Sequence, residues 1–286
     1  MKKIIRQLKL LMLSTVIILI ILVNAFLIQP NLLRVRYETI CSEKIPESMN
    51  NYTIVFFSDL HYNKFTTKTR TEKLVNTINS IGAQTVVFLG DLYNHPASNE
   101  VDQETQIELA ELLNSIEAEY GKFAIMGNHD YESNDASILT MQTLAYGNFE
   151  LLVNQSQKIY FGNEGFVELI AIDCLTLGNP DITRAYKGIS SESFNIVISH
   201  CPDTYDTIDY SLSDLFLAGH SHGGQIFIPV IETFFRTLGA TKYFTGKHSF
   251  PNQPLLDITN GVGTTIINAR FNAPAEIVVY RLIHEE

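Results

Sequence analysis

Three cysteines in 286 residues, Cys41, Cys174 and Cys201, are an odd count at no metal-finger spacing. That excludes a disulfide-stapled scaffold and argues against a cysteine-based structural zinc site. Positive charge is also scarce: 20 Lys and Arg stand against 31 Asp and Glu. Four of the 20, Lys2, Lys3, Arg6 and Lys9, open the chain, which leaves 16 basic against 31 acidic residues, a balance of −15. Non-specific nucleic-acid binding needs clustered Lys and Arg, so it is not expected. A phosphate-bearing substrate needs some other source of positive charge. There is no internal repeat, no low-complexity tract and no disordered or collagen-like composition. The 45% hydrophobic content suffices for one large core.

What is present begins with an apolar run without a charged residue, 10–29. About 20 helical residues at ~1.5 Å each span a ~30 Å hydrocarbon core. With four basic residues before it, residues 1–30 read as an N-terminal transmembrane anchor. Its N-terminus stays in the cytoplasm and the remainder lies outside the cell membrane, as a single-pass protein. The alternative is a cleaved signal peptide with Val23-Asn24-Ala25 as the cleavage site, against which the apolar stretch is long and continues past that site. Residues 31–51 read as a polar juxtamembrane linker, and 52–286 as the folded domain.

Strand-like runs at 53–58, 85–89 and 122–126 alternate with helical stripes at 70–81 and 103–120. This order predicts α/β layers with part of the sheet parallel. A short helix is expected at 133–145. The second half is mostly strand-like at 149–153, 158–161, 166–173, 194–199, 214–218 and 225–228, which suggests a second, more antiparallel sheet packed on the first.

Five polar clusters each follow a strand. They are Ser58-Asp59-Leu60-His61, Gly90-Asp91, Gly127-Asn128-His129-Asp130, Ser199-His200 and Gly219-His220-Ser221-His222-Gly223-Gly224. A lone Asp or His at a strand end is more often a cap or a satisfied hydrogen-bonder. Five of eight histidines placed this way point instead to one site at a sheet edge. Asp and His together suit Zn²⁺, Mn²⁺ or Fe²⁺.

In this set and order, the clusters resemble the calcineurin-like metallophosphoesterase family, and its membrane-anchored bacterial branch above all. His200-Cys-Pro-Asp203, Asn260-Gly-Val-Gly263 and Arg270 add to the likeness. One departure is Asn94, where many relatives carry a further acid. The resemblance implies an α/β (α+β) fold, a four-layer αββα sandwich of two mixed sheets flanked by helices. It also implies two divalent metal ions, held by Asp59, His61 and His222 on one side and by Asn128, His200 and His220 on the other. Asp91 would bridge them. Asn128 coordinates through a neutral amide oxygen, so two ions and two carboxylates leave positive charge for a phosphate.

The implied activity is a phosphoric ester hydrolase, a phosphodiesterase before a monoesterase, in which metal-activated hydroxide attacks phosphorus in line. His129 would face the leaving oxygen, as general acid or as stabilising donor, and Asp130 would orient its imidazole. The anchor suggests a lipid or cell-envelope phosphate ester as substrate. A phosphomonoesterase using the same site, and a non-catalytic metal-binding scaffold, are the alternatives. His95 is read as a solvated loop histidine, and His248 and His284 as surface residues. Arg270 is divided between a phosphate contact and a structural salt bridge. The aromatic segment 229–250 is divided between a packed loop and a membrane or substrate lip.

Overall fold

The computed structural model describes residues 2–62, 65–162, 165–228, 232–233 and 236–286. Helix α1 (Lys2–Val23) buries none of its residues and runs on through a wider π-helical turn, Asn24–Ile28, and a closing turn, Gln29–Asn31. The whole is long and apolar enough to cross a membrane. Ala25 and Pro30, at its lower end, are buried against the domain.

Two six-stranded mixed sheets form the domain. The first contains β1 (Leu33–Ser42), β2 (Thr53–Phe57), β3 (Thr85–Phe88), β4 (Lys122–Ala124), β5 (Glu150–Leu151) and β14 (Ala275–His284), in the order β1-β14-β2-β3-β4-β5. The second contains β6 (Gln155–Tyr160), β7 (Phe166–Ala171), β8 (Asn195–Ile198), β9 (Leu215–Ala218), β12 (Gly246–His248) and β13 (Leu255–Ile258), in the order β12-β13-β9-β8-β7-β6. A two-stranded ribbon of β10 (Phe227–Ile228) and β11 (Glu232–Thr233) stands apart. The expected antiparallel character of the second sheet holds only at its rims. β7, β8, β9 and β13 are parallel, and β6 and β12 are the antiparallel edges.

Period-two alternation builds three apolar layers. Ile54, Phe56, Val87 and Phe123 of the first sheet meet Val167, Leu169, Ile196 and Leu217 of the second. Val55, Phe57, Val86 and Phe88 face the other way, onto α2 (Lys68–Ile81), α3 (Gln103–Asn114) and α4 (Asn134–Tyr146). The outer face of the second sheet is covered more thinly. The short α5 (Ile182–Ala185) and turns at Pro202–Thr207 and Tyr210–Leu212 bring Ala185, Tyr205 and Tyr210 over Val197 and Phe216.

Residues 33–42 are not a linker. β1 pairs in parallel with β14 over ten residues, from Leu33 opposite Ala275 to Ser42 opposite His284. The Arg36 guanidinium crosses to the second sheet and grips the buried Asp257 with two bonds of 2.8 and 2.9 Å. α3 stops at Asn114, short of the predicted Tyr120. The Lys122 ammonium takes the terminal carbonyls of Leu113 and Asn114 at 3.0 and 3.2 Å, an ending that hydrophobic period does not reveal.

Candidate metal centre

Parallel strands put their carboxyl ends on one edge, and that is where all five clusters land. Asp59 and His61 follow β2, Asp91 follows β3, and Asn128–Asp130 follow β4. His200 follows β8, and His220 and His222 follow β9. The loops are tight. Asp59, His61, Asp91, His220 and His222 all have left-handed backbones, φ between 46° and 70°. Such residues cost about 1–3 kcal/mol each and persist where the surrounding structure holds them. The β3 and β4 loops touch so closely that a Cβ on Gly90 would lie 2.5 Å from the Gly127 nitrogen.

The side chains converge on two points. Ligand atoms of Asp59, His61 and His222 lie within 4.8 Å of one another, and so do those of Asp91, His200 and His220. The His61 and His222 Nε2 atoms are 3.0 Å apart, and His220 Nδ1 is 3.2 Å from His200 Nε2. Bonds of ~2.0–2.1 Å to one ion would set neighbouring nitrogens at about such separations. Asp91 Oδ2 lies between the two groups, 3.2 Å from His200 Nε2 and 3.5 Å from His61 Nε2. Asn128 Oδ1 is buried with no hydrogen-bond partner among the described residues, as a neutral oxygen ligand would be.

Two ring orientations are fixed from behind. His200 Nδ1 donates to the Leu89 carbonyl at 2.7 Å, freeing Nε2; His220 Nε2 donates to the Leu238 carbonyl at 2.7 Å, freeing Nδ1. Burial pushes His61 and His222 well below the usual imidazole range and His220 down to about 4, which keeps them in the neutral, ligating form. Burial also raises Asp59 to about 6, with Asp91 adding to the effect. At Asp91 burial is overcome by His200 and His129, which hold the carboxyl well below its ordinary value. At His200 burial is overcome by Asp91 and Asp59, which raise it well above. The paired carboxylates thus call for positive charge at this point, the condition a cation meets.

His129 sits beside the centre, Nε2 3.9 Å from Asp91 Oδ2 and its ring 4.8 Å from that of His61. Asp130 does not orient it. Wholly buried, Asp130 accepts the backbone N–H groups of Asp91, Gly127 and Leu92 and the Thr140 hydroxyl. The carboxylate that holds His129 is Glu132, whose Oε1 is 2.7 Å from His129 Nδ1. The same oxygen is 2.7 Å from Nδ1 of His95, whose ring lies 4.2 Å from that of His129. His95 is therefore tied to the rim of the centre rather than loose in solvent. Its only sequence signal was proximity to Asp91, and that of Glu132 was the three-residue spacing from His129.

The remaining histidines, Arg270 and the cysteines play other parts. His248 bonds the Thr245 carbonyl, and His284 the Ile45 carbonyl. Arg270 is fully buried and donates to the carbonyls of Asn260, Gly261, Gly263 and Ala273, so it takes neither of its expected roles. Cys174 and Cys201 are buried free thiols with sulfurs 3.6 Å apart. In the aromatic segment, Tyr243 and Phe250 pack against Tyr205, whereas Phe234 and Phe235 lie outside the described residues.

Residues 52–224 match a family described as calcineurin-like phosphoesterase. The metallophosphoesterase YkuE of Bacillus subtilis is 30% identical over 256 residues, covering 89% of this chain and 87% of its own. UDP-2,3-diacylglucosamine pyrophosphatase LpxG of Chlamydia trachomatis is 26% identical over 314 residues, covering 90% and 92%. A Danio rerio transmembrane protein with metallophosphoesterase domain is 28% identical, and this chain spans 54% of its length.

Proposed function

The chain belongs to the calcineurin-like phosphoesterase family, and from that premise we propose that it hydrolyses phosphodiester bonds with two divalent ions. The site of action is the outer face of the cell membrane that α1 crosses. Asp59, His61 and His222 would hold one ion and Asn128, His200 and His220 the other, with Asp91 shared between the two groups. The observation that carries this reading is the convergence of six buried donors on two adjacent points, Asp59, His61 and His222 at one and Asp91, His200 and His220 at the other, beside a loop whose Asn128 oxygen is buried and unpartnered among the described residues. Mn²⁺, Zn²⁺ and Fe²⁺ all suit such donors. When bound, the pair supplies a hydroxide near neutral pH and offsets the charge of the phosphate oxygens.

The chain's own residues do the rest. Asp91 takes the His129 backbone N–H at 2.9 Å, which locks the loop carrying the acid to the loop carrying the bridge. Glu132 accepts from His129 Nδ1 and fixes the ring with Nε2 turned toward the centre, where it can serve the leaving oxygen. Asp130 gathers three backbone N–H groups from the two loops, so its role is to hold the scaffold rather than the imidazole. A disubstituted phosphate is preferred on the likeness to LpxG, which is named as a pyrophosphatase of UDP-2,3-diacylglucosamine.

The test is a screen of phosphodiesters, diphosphate diesters and phosphomonoesters with each metal, on wild type and His129→Ala. The variant keeps both ions and loses ~10²–10⁴-fold in turnover. A variant whose metal content falls as far as its activity makes His129 a ligand and defeats the assignment. Turnover of monoesters alone defeats the diester preference.

A further inference from the structure

The foot of α1 is joined to the metal centre through very little protein. The Ala25 carbonyl, inside the π-helical turn, accepts the Arg270 backbone N–H at 2.9 Å. The Arg270 guanidinium, wholly buried, gathers the carbonyls of Asn260, Gly261 and Gly263. That same loop donates Gly263 N–H to the Asp59 carbonyl at 2.8 Å and Val262 N–H to that of Ser58 at 2.9 Å. One residue and one loop therefore separate the anchor from a proposed ligand. A second tie runs to the other side of the site. Gln225, three residues past His222, exchanges two hydrogen bonds with the Thr265 backbone, at 2.6 and 2.9 Å. Arg70 donates both to Asn268 and to the Pro30 carbonyl, and the Lys73 ammonium takes the Asn31 carbonyl at 2.9 Å. Anchor foot, 264–273 segment and metal loops are thus one hydrogen-bonded body, not a domain swinging on a tether.

This body carries two exposed large apolar side chains. Leu32 is 49% exposed, and Ile266, between the two segments tied to Gln225 and Arg70, is 65% exposed. Ile266 also has φ +61°, a left-handed backbone that a β-branched side chain rarely adopts. What covers these side chains is set by continuity. Leu32 follows the exposed Leu27 and Ile28 at the foot of a helix able to cross a membrane, and the segment carrying Ile266 is tied to that same foot by the Arg270–Ala25 bond and by Arg70, which joins Asn268 to Pro30. Arg70 and Lys73 stand beside them, at the level where headgroups would lie.

We infer that the face formed by Leu32 and the 264–273 segment rests on the lipid bilayer and seats the metal centre against phosphate esters borne by membrane lipids. This rests on the phosphoesterase reading and on α1 as a membrane span. It gives the domain, whose overall charge is strongly acidic, a contact with lipid that needs no general electrostatic attraction.

The chain has no tryptophan, so single-tryptophan reporters are clean. Full-length Ile266→Trp and Leu32→Trp are placed in phosphatidylcholine–phosphatidylglycerol vesicles containing brominated lipids, with Tyr146→Trp as the control. Tyr146 is 69% exposed at the end of α4, near the far edge of the first sheet. The two reporters should emit to the blue of the control. They should also be quenched more by shallow than by deep bromines, since an interfacial contact lies ~5–10 Å into the headgroup boundary. Leu32, in ordinary extended backbone, covers the case in which residue 266 does not tolerate the ring. Emission and quenching equal to the control overturn the proposal.

The second arm is Ile266→Asp. It should keep turnover of soluble bis-p-nitrophenyl phosphate and lose at least tenfold, roughly the effect of losing one buried apolar side chain, on a diacylglycerol p-nitrophenyl phosphate in the same vesicles. Equal loss on both substrates makes residue 266 a support of the fold and overturns the proposal. Quenched reporters on a chain that hydrolyses neither ester leave the membrane face supported and defeat the phosphoesterase reading instead.

Discussion

Asp130→Asn separates a carboxylate that holds loops from one that serves an imidazole. One oxygen of Asp130 accepts the N–H groups of Asp91 and Gly127, both at 2.8 Å; the other accepts Leu92 N–H at 3.0 Å and the Thr140 hydroxyl at 3.1 Å. An amide keeps one oxygen. Its best orientation leaves that oxygen on Asp91 and Gly127 and turns the NH₂ toward Leu92 and Thr140. Thr140 can reverse its hydroxyl and accept, but the Leu92 N–H then faces a donor in a fully buried site. One unsatisfied buried donor costs ~1–3 kcal/mol, and the remaining bonds lose their charge assistance. Relief of repulsion with Asp91 returns part of this, because burial and Asp91 already raise Asp130 to about 6. The net expectation is a loss of ~2–4 kcal/mol, a fall of ~5–15 °C in Tm for a domain of this size. Thermal melting by circular dichroism, with metal loaded, reads it. At low temperature the folded variant should retain most of its turnover. Glu132→Gln should do the reverse: Tm nearly unchanged, and turnover down ~10–100-fold as one charge-assisted bond of ~1.5–3 kcal/mol is lost. If Asp130→Asn melts like wild type and loses its turnover, Asp130 acts on His129 after all and the reasoning fails.

Three further outcomes follow from the same contacts. A chain beginning at residue 31 should fold, whereas one beginning at residue 52 loses β1 and leaves Asp257 without Arg36, at a cost of at least ~3 kcal/mol in urea unfolding. Burial works to raise Glu38, but Lys247 and Arg36 overcome it and hold the carboxyl below its ordinary 4.5. Its stabilisation is complete above 4.5 and lost as pH falls through the depressed folded value, so Glu38→Gln should flatten the acid limb of a Tm–pH profile. Asn128→Ala should drop metal content from two ions toward one, read by elemental analysis, with Tm changed little in the metal-free protein.

Much of the fold was legible because its strands are short apolar runs. Thr53–Phe57, Thr85–Phe88 and Leu215–Ala218 each end at a polar cluster, and a parallel arrangement brings those ends together without further information. β1 was not legible. Arg34, Arg36 and Glu38 interrupt it, and its partner β14 lies about 240 residues away, so its character as a strand comes from pairing and from a cross-sheet ion pair. The parallel core of the second sheet was hidden for a related reason, since short strands and loops carry no mark of direction. Within the site, residue types and order pointed to the donors, but the support did not follow from adjacency. Asp130 is next to His129 in sequence and turns away to bind backbone, whereas Glu132, one helical turn on, meets the ring. Arg270 suggested a phosphate contact or a salt bridge because a guanidinium usually seeks an anion; four carbonyls satisfy it instead.

On the proposed function, two ions held by these seven residues make a phosphodiesterase. Titrating the metal-depleted full-length protein with Mn²⁺, while following calorimetric stoichiometry and bis-p-nitrophenyl phosphate turnover together, tests it most directly. Two ions should bind per chain, with turnover rising as the second site fills. Binding of one ion or none, or turnover indifferent to metal removal, contradicts it.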